Sequence, residues 1–335
     1  MTRSRTQRDT IAVLGAGRWG TTLAEIAARN GRKVVLWCED PGRAQQLQND
    51  RHPSTVLPEL PRLHEGVRVV GDLGAAVECS HTLLIAVRAA DVRALARRLG
   101  DHADPSHVVV HAVRGLEPES LERPSRVLRR ETSLRKVGAM LGPALVDELL
   151  AGRPNAFVVA SRYPEVGERV VEAFAADALR VYLSSDLAGI EVAAASAPVG
   201  AIAIGIALEL GLGPATLGTL IPRAAAEMAR VVVAAGGKAS SAWGLAGLGE
   251  MLALRESESR EIAAGRALAR GDALHSVLQT LGPLDAVDAA RTFVALADRL
   301  GTEAFIAGVV ARILGGQLSA RDGVLELMRL GPMVE

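Results

Sequence analysis

The stretch Ile11-Ala-Val-Leu-Gly15-Ala-Gly17-Arg-Trp19-Gly20 decides the fold of this chain. Its four leading apolar residues predict a short buried strand, and its glycines follow the pattern G-x-G-x-x-G. A helical segment follows and ends at Asn30-Gly31, a pair typical of a helix C-terminus. In such a unit the first glycine permits a tight turn, the second lets a pyrophosphate approach the backbone, and the third lets the helix pack against the strand. The stretch therefore predicts a dinucleotide-binding Rossmann unit.

A second apolar run begins at Lys33 and ends in the acids Glu39 and Asp40. Glu39 lies about 20 residues after Gly17, where a carboxylate accepts hydrogen bonds from the adenosine ribose and repels a 2′-phosphate. This position predicts NAD rather than NADP as the cofactor, although a solvated loop acid would give the same pattern. Arg18 also has two interpretations, as a residue that faces the pyrophosphate or as a solvated residue of the first helical turn.

Composition and charge narrow the functional classes. The 335-residue chain is long enough for two domains, and 49% of it is hydrophobic, which allows a sizeable core. Basic and acidic residues number 38 each, so the charge gives no sign of a nucleic-acid partner. Two cysteines can form neither a disulfide framework nor a metal cluster, which favours a reducing cytoplasm and no metal site.

The pattern of apolar runs changes near residue 186. Before that point strands and helices alternate, with predicted strands at residues 11–14, 33–40, 67–70, 82–87, 107–113, 136–141 and 156–160. After it only alanine-rich helical segments follow. Repeated strand–helix units predict a doubly wound, mostly parallel sheet. We therefore expect a disordered tail over residues 1–9, an α/β Rossmann-type domain over residues 10–187 and an all-α C-terminal domain over residues 188–335.

The segment from Leu187 to Leu212 is almost entirely apolar and has the length of a membrane span. It contains Glu191, Pro198 and several glycines, however, and it lacks basic or aromatic flanks. These features favour a buried core helix and no membrane span. Pro198 is expected to kink or interrupt that helix, because proline removes a backbone N–H from the hydrogen-bonded ladder.

The glycine turn and several other motifs together carry a family resemblance. They are Val13–Thr21, Gly115–Glu119, Gly142-Pro143, Glu227–Arg230 and Gly244–Gly249. With these motifs the chain resembles the bacterial NAD(P)-dependent glycerol-3-phosphate dehydrogenases over about residues 10–329. The resemblance implies a Rossmann domain, a helical substrate domain and a homodimer. It also implies interconversion of dihydroxyacetone phosphate and sn-glycerol 3-phosphate in phospholipid synthesis.

The resemblance also implies positions for the site. The residues placed at the phosphorylated small-molecule substrate are Arg114, Gly142, Glu250, Ser259 and Arg260. The residues placed at the cofactor, NAD or NADP, are Gly15, Gly17, Arg18, Trp19, Gly20, Glu39, Arg114, Val146, Arg260 and Asp285.

The chain departs from the family pattern where the resemblance implies the catalytic lysine. Ala197 stands at that position and Pro198 at the asparagine after it. Alanine has no titratable group and cannot act as a general acid or base. Glu261 replaces an asparagine beside the implied phosphate site, where a negative charge is unfavourable. Histidine is a common base in proteins, which makes His111 a candidate substitute, but on a strand it points away from the side that Arg114 would face.

Two functional hypotheses follow. In the first, the chain is a dehydrogenase that takes its proton from water or from another side chain. In the second, it is a catalytically impaired paralogue that binds a nucleotide without this reaction. A dehydrogenase for a different substrate is a further alternative, since the fold does not distinguish these functions.

Overall fold

The computed structural model describes residues 10–256 and 259–329, and residues up to Ser184 form an eight-stranded sheet. The strands are β1 Thr10–Leu14, β2 Lys33–Trp37, β3 Val67–Val70, β4 Thr82–Ile85, β5 Val108–His111, β6 Lys136–Leu141, β7 Asn155–Ser161 and β8 Leu179–Ser184. Their order is β3-β2-β1-β4-β5-β6-β7-β8, and every neighbouring pair is parallel except β6 and β7. The tail expected over residues 1–9 lies outside the described residues.

Helices cover both faces of the sheet because its central strands are apolar on both sides. In β1, Ile11 and Val13 belong to one core layer, whereas Ala12 and Leu14 belong to the other. The helices of this part are α1 Arg18–Arg29, α2 Pro41–Asp50, α3 Leu73–Glu78, α4 Val92–Gly100, α5 Pro124–Glu131, α6 Val146–Leu150 and α7 Pro164–Phe174. The predicted doubly wound Rossmann-type sheet is confirmed.

Strand β8 was not expected from the sequence. It pairs in parallel with β7 at the edge of the sheet. Tyr182 and Leu183 are 49% and 64% exposed. Leu179 is the one buried residue of β8, so this strand lacks the run of buried residues that marks the central strands, and this is why the sequence pattern missed it.

The second part of the chain is helical, as predicted. Its helices are α8 Leu187–Glu209, α9 Pro214–Ala234, α10 Ala239–Trp243, α11 Glu250–Glu256, α12 Arg260–Arg270, α13 Leu274–Leu281, α14 Asp285–Arg299, α15 Phe305–Leu314 and α16 Ala320–Met328. The chain divides into two compact units: residues up to Val113 with Glu122–Leu187, and Arg114–Leu121 with Ala188 onward. The short segment Arg114–Leu121 thus contributes to the helical unit although it lies within residues 10–187.

Helix α8 is the core of the helical unit. It is the one described helix long and apolar enough to cross a membrane, and its most apolar window is completely buried in the protein. Gly205 of α8 and Gly265 of α12 lie face to face, and a Cβ on Gly265 would meet the Ile202 carbonyl oxygen at 2.3 Å. The prediction of a buried core helix is confirmed.

Pro198 does not interrupt α8, so the predicted interruption is wrong, while the alternative of a kink at Pro198 stays a prediction. The helix runs unbroken from Leu187 to Glu209 with Pro198 inside it. Proline leaves the carbonyl of Ala194 without its usual backbone donor. The helix continues because all residues around Pro198 are buried, and tertiary packing outweighs a single lost hydrogen bond.

Candidate active site

The glycine turn between β1 and α1 is built so tightly that two of its positions exclude any side chain. Gly15 has φ +120°, and a Cβ there would lie 2.5 Å from the Ala86 carbonyl oxygen. A Cβ on Gly20 would lie 1.9 Å from the Gly15 carbonyl oxygen. Gly17, by contrast, is exposed and has nothing within 4 Å of its Cβ position. The turn therefore brings open backbone, with no side chain in front of it, to the start of α1.

The N-terminus of α1 suits an anion. Gly17 is its N-cap, and no side chain caps the helix, so the first N–H groups point outward with the positive end of the helix dipole. Arg18 pairs with Glu59 at 2.7 Å and with Asp147 at 2.8 Å. Trp19 packs edge-on against Phe157, with 6.0 Å between ring centroids. A rigid glycine turn with uncapped N–H groups fits the pyrophosphate of a dinucleotide.

Glu39 follows the carboxyl end of β2 and is largely exposed. Its Oε1 accepts a hydrogen bond from Arg98 Nη1 at 2.7 Å. The Arg98 guanidinium also lies 5.1 Å from the centroid of the Trp37 ring. In Rossmann folds this position holds either an acid that binds the ribose hydroxyls or an arginine that accommodates a 2′-phosphate. In this chain Glu39 is the acid and Arg98 the arginine, and the two form an ion pair.

Gly142 and Val146 lie after the carboxyl end of β6. Gly142 is buried with φ +133°, a conformation that L side chains rarely adopt. Val146 begins α6, and its half-buried side chain packs on the apolar core of the sheet unit. His111, at the end of β5, is completely buried.

A group of charged side chains comes together inside the helical unit. Arg114 Nη1 donates to Glu250 Oε1 at 2.6 Å, and Arg114 Nη2 lies 3.8 Å from Asp285 Oδ2. Glu250 is 4% exposed, whereas Arg114 and Asp285 are each about one-third exposed. Residues from three distant parts of the chain thus form one partly accessible cluster, which we call the Arg114 cluster.

The backbone around Glu250 is unusual. Residues Leu245–Gly249 form a π-helical turn, and Glu250 is the first residue of α11. A Cβ on Gly247 would lie 2.2 Å from the Ala242 carbonyl oxygen, so this turn requires glycine there. Single π-turns occur frequently at functional sites because they redirect the side chains that follow. The motif at 244–249 thus serves to direct Glu250 into the Arg114 cluster.

The carboxyl group of Glu250 is only half satisfied. Its Oε2 is buried and has no hydrogen-bond partner among the described residues. Burial raises the pKa of Glu250 to about 7, an effect that Arg114 opposes and that the charges of Glu261 and Asp285 reinforce. Burial lowers the pKa of Arg114, but the three surrounding carboxylates outweigh it and raise that pKa above its usual value. Arg114 is therefore a permanent cation beside an acid that titrates near neutral pH.

Ser259 and Arg260 lie at the start of α12. Ser259 caps this helix, its Oγ accepting from Ile262 N at 3.2 Å. Arg260 is exposed, and its Nη1 lies 3.5 Å from the Leu281 carbonyl oxygen. Glu261 in the same turn is buried and acts electrostatically on Arg114 and Glu250. The helix terminus and Arg260 can hold an anion, while Glu261 limits its negative charge.

Ala197 is completely buried in α8. A Cβ on Gly200 would lie 2.2 Å from the sulfur of Met251, so α8 touches α11 at the residue after Glu250. Residues three apart lie on the same side of a helix, which puts Ala197 one turn from this contact on the face toward α11. The chain therefore presents a methyl group, with no titratable atom, beside the start of α11.

Glu227 has a structural role. Its two carboxylate oxygens accept from Ile306 N at 2.8 Å and Ala307 N at 3.0 Å, which caps α15. Over residues 10–256 and 259–329, no group of three or more His, Cys, Asp or Glu side chains is arranged to hold a metal ion.

Comparison with known proteins identifies the family. The N-terminal domain of NAD-dependent glycerol-3-phosphate dehydrogenase matches residues 10–166, and the C-terminal domain matches residues 186–325. The chain belongs to the NAD-dependent glycerol-3-phosphate dehydrogenase family.

Individual family members agree with this assignment. A glycerol-3-phosphate dehydrogenase (NAD(P)+) of Thioalkalivibrio sulfidiphilus is 37% identical over 95% of this chain and 96% of its own length. The crystal structure of glycerol-3-phosphate dehydrogenase from Coxiella burnetii has a TM-score of 0.91 at 30% identity and covers 96% of this chain and 99% of its own. The enzyme of Plasmodium falciparum, at 11% identity and a TM-score of 0.87 over 98% of this chain and 97% of its own, shares the fold.

Within the dehydrogenase family fold, the structure groups the predicted residues in two sets. The sheet unit holds Gly15, Gly17, Arg18, Trp19, Gly20, Glu39, Gly142 and Val146, and the helical unit holds Arg114, Glu250, Ser259, Arg260 and Asp285. Arg114, Glu250 and Asp285 are in direct contact. Sequence reasoning missed Arg98 as the partner of Glu39, because nothing in the sequence links residues so far apart.

Proposed function

We propose that the chain catalyses the NAD(P)-dependent interconversion of dihydroxyacetone phosphate and sn-glycerol 3-phosphate. Relatives at 31–37% identity carry the name of this activity. The Arg114 cluster is the observation that carries the proposal. A permanent cation next to a buried acid that titrates near pH 7 can bind a phosphorylated hydroxy compound and exchange a proton with it.

The bound dinucleotide would supply or accept the hydride in this reaction. The N–H groups that follow Gly17 would hold its pyrophosphate. Arg114 would bind substrate oxygens through its fork of N–H donors. The α12 terminus, with Ser259 and Arg260, would bind the phosphate, and Glu261 would weaken binding of a dianion. These assignments rest on the chemistry of the side chains and on the resemblance to the family.

We also propose that the chain lacks the family's catalytic lysine, with Ala197 at its position. This substitution and Pro198 beside it favour a second candidate function, a catalytically impaired paralogue that binds the nucleotide without turning over this substrate. A dehydrogenase for another substrate is the remaining alternative. In all three cases the glycine turn keeps its cofactor role.

For the cofactor, Glu39 supports NAD over NADP, because a carboxylate at this point repels a 2′-phosphate. The resemblance to the family also supports a homodimer that serves phospholipid synthesis, and the low cysteine count favours a cytoplasmic location. Light scattering of the purified protein tests the dimer, for which the expected mass is twice the 35.0 kDa of one chain.

NADH oxidation with dihydroxyacetone phosphate tests the proposed function. The wild type is assayed beside the Ala197→Lys, Pro198→Asn double variant, and NADH binding is followed by fluorescence titration. Turnover by the wild type supports the dehydrogenase. A wild type that binds NADH without turnover supports the impaired paralogue or another substrate, and activity in the double variant alone assigns the loss to these two positions.

A further inference from the structure

We propose that Glu250 is the proton donor and acceptor for the reacting oxygen of the substrate, in the role that Ala197 cannot fill. This inference rests on the proposed function and adds a catalytic residue to it. The starting observation is the buried carboxyl group of Glu250, one oxygen of which has no hydrogen-bond partner among the described residues.

The geometry of Glu250 leaves one oxygen available. Oε1 is held by Arg114 at 2.6 Å, which fixes the carboxyl group, while the buried Oε2 has no partner among the described residues. A buried, unpaired carboxyl oxygen costs free energy unless a ligand satisfies it. A substrate hydroxyl or carbonyl oxygen beside Arg114 would provide that partner.

Glu250 lies near the contact between α11 and α8, the helix that carries Ala197. Met251 touches α8 at Gly200, and Ala197 lies one turn earlier on the same helix face. Ala197 and Glu250 therefore border the same part of the helical unit. Ala197 is completely buried and has no titratable atom, and Glu250 is the titratable residue at the start of α11.

The electrostatic environment suits acid–base chemistry at neutral pH. Burial has the largest effect on Glu250 and raises its pKa. The Arg114 charge lowers this pKa, the charges of Glu261 and Asp285 raise it, and the resulting pKa is about 7. The charged groups acting on Glu250 thus come from the 114–121 segment, from α12 and from α14. An acid with this pKa is populated in both protonation states near pH 7, the condition under which general catalysis is most effective.

The proposed step balances in both directions. In ketone reduction Glu250 would give its proton to the carbonyl oxygen as that oxygen takes the π electron pair and the carbonyl carbon gains a hydride. A bound reduced nicotinamide would supply that hydride. Glu250 would be left as a carboxylate beside Arg114 and would regain a proton from water. In alcohol oxidation Glu250 would remove the hydroxyl proton while the carbon loses its hydride, which a bound oxidised nicotinamide would accept.

The test compares Glu250→Gln and Glu250→Asp with wild type, and Glu227→Gln serves as the matched control. Glu227 is also a buried acid with a raised pKa, but backbone N–H groups of α15 hold both its oxygens. We expect Glu250→Gln to lower kcat by about 10²–10⁴ and to leave NADH binding within about twofold. The wild-type kcat should change with pH, with a midpoint near pH 7. Glu250→Asp should keep a pH-dependent kcat, and Glu227→Gln should show the same dependence of kcat on pH as the wild type.

A second measurement does not depend on activity. Carbon NMR of protein labelled with ¹³C at the glutamate carboxyls should show one signal that titrates near pH 7 and is absent from Glu250→Gln. Absence of that signal from the wild type, or wild-type kcat in Glu250→Gln, overturns the role of Glu250. A wild type without turnover overturns the proposed function and this role together, whereas an active wild type with an unaffected Glu250→Gln overturns this role alone.

Discussion

Gly20 and Gly17 lie three residues apart in the glycine turn, and substitution by alanine should affect stability at position 20 and cofactor binding at position 17. An alanine Cβ at position 20 would lie 1.9 Å from the Gly15 carbonyl oxygen, whereas real Cβ atoms essentially never lie closer than 3.0 Å to another heavy atom. Helix α1 would have to move away from β1 by about 1 Å, and overpacking of this kind costs about 1–3 kcal/mol. For a unit of this size that corresponds to a fall in Tm of roughly 2–12 °C.

At position 17 an alanine meets no atom within 4 Å, and φ is −79° there. We expect Gly17→Ala to keep the wild-type Tm or raise it slightly, since glycine has the larger conformational entropy in the unfolded chain. Its methyl group would occupy the approach of the pyrophosphate, so the Kd for NADH should rise by about tenfold or more. Thermal unfolding and NADH fluorescence titration measure the two effects. A Gly20→Ala variant with wild-type Tm would show that position 20 tolerates a side chain. A Gly17→Ala variant with wild-type NADH affinity would show that the pyrophosphate does not approach position 17.

Three further predictions concern other parts of the chain. Gly205→Ala should lower Tm, because its Cβ would lie 2.5 Å from the Ile262 carbonyl oxygen. Gly218→Ala, on the exposed face of α9, should raise the free energy of unfolding by up to about 1 kcal/mol. Glu250 has a higher pKa in the folded state than its usual 4.5, so the folded state binds more protons between these values and stability falls as the pH rises from about 4.5 to about 7. Urea unfolding should show this loss, about 3 kcal/mol in all, in the wild type and not in Glu250→Gln. Arg98→Ala removes the positive charge beside Glu39. Fluorescence titration should find NADPH binding weakened about fivefold and NADH binding within about twofold of wild type. Equal losses for both cofactors would contradict a role of Arg98 in binding the 2′-phosphate.

The sheet and the long helices could be predicted because their sequence patterns are local. The Ile11–Leu14 run alternates between two buried layers, and the apolar stretch from Leu187 has helical length without the flanks of a membrane span. Strand β8 could not be found this way, because its edge position leaves Tyr182 and Leu183 exposed. Continuity of α8 through Pro198 depends on surrounding packing, which no window of sequence contains.

The candidate site could be predicted in part. The glycine turn and Glu39 follow from spacing, and Arg114, Glu250 and Asp285 were each implied by the resemblance to the family. Their direct contact depends on the π-turn before Glu250 and on the meeting of three distant segments. The unpaired oxygen of Glu250 and its raised pKa arise only from that assembly, so no sequence motif could indicate them.

The pH dependence of NADH oxidation with dihydroxyacetone phosphate, measured from about pH 6 to about pH 8 for wild type and Glu250→Gln, is the decisive experiment. We expect measurable wild-type turnover that depends on a group with a pKa near 7, and loss of that dependence together with most of the rate in Glu250→Gln. A wild type that binds NADH yet shows no turnover at any of these pH values, while the Ala197→Lys, Pro198→Asn variant is active, would rule out the proposed role of Glu250.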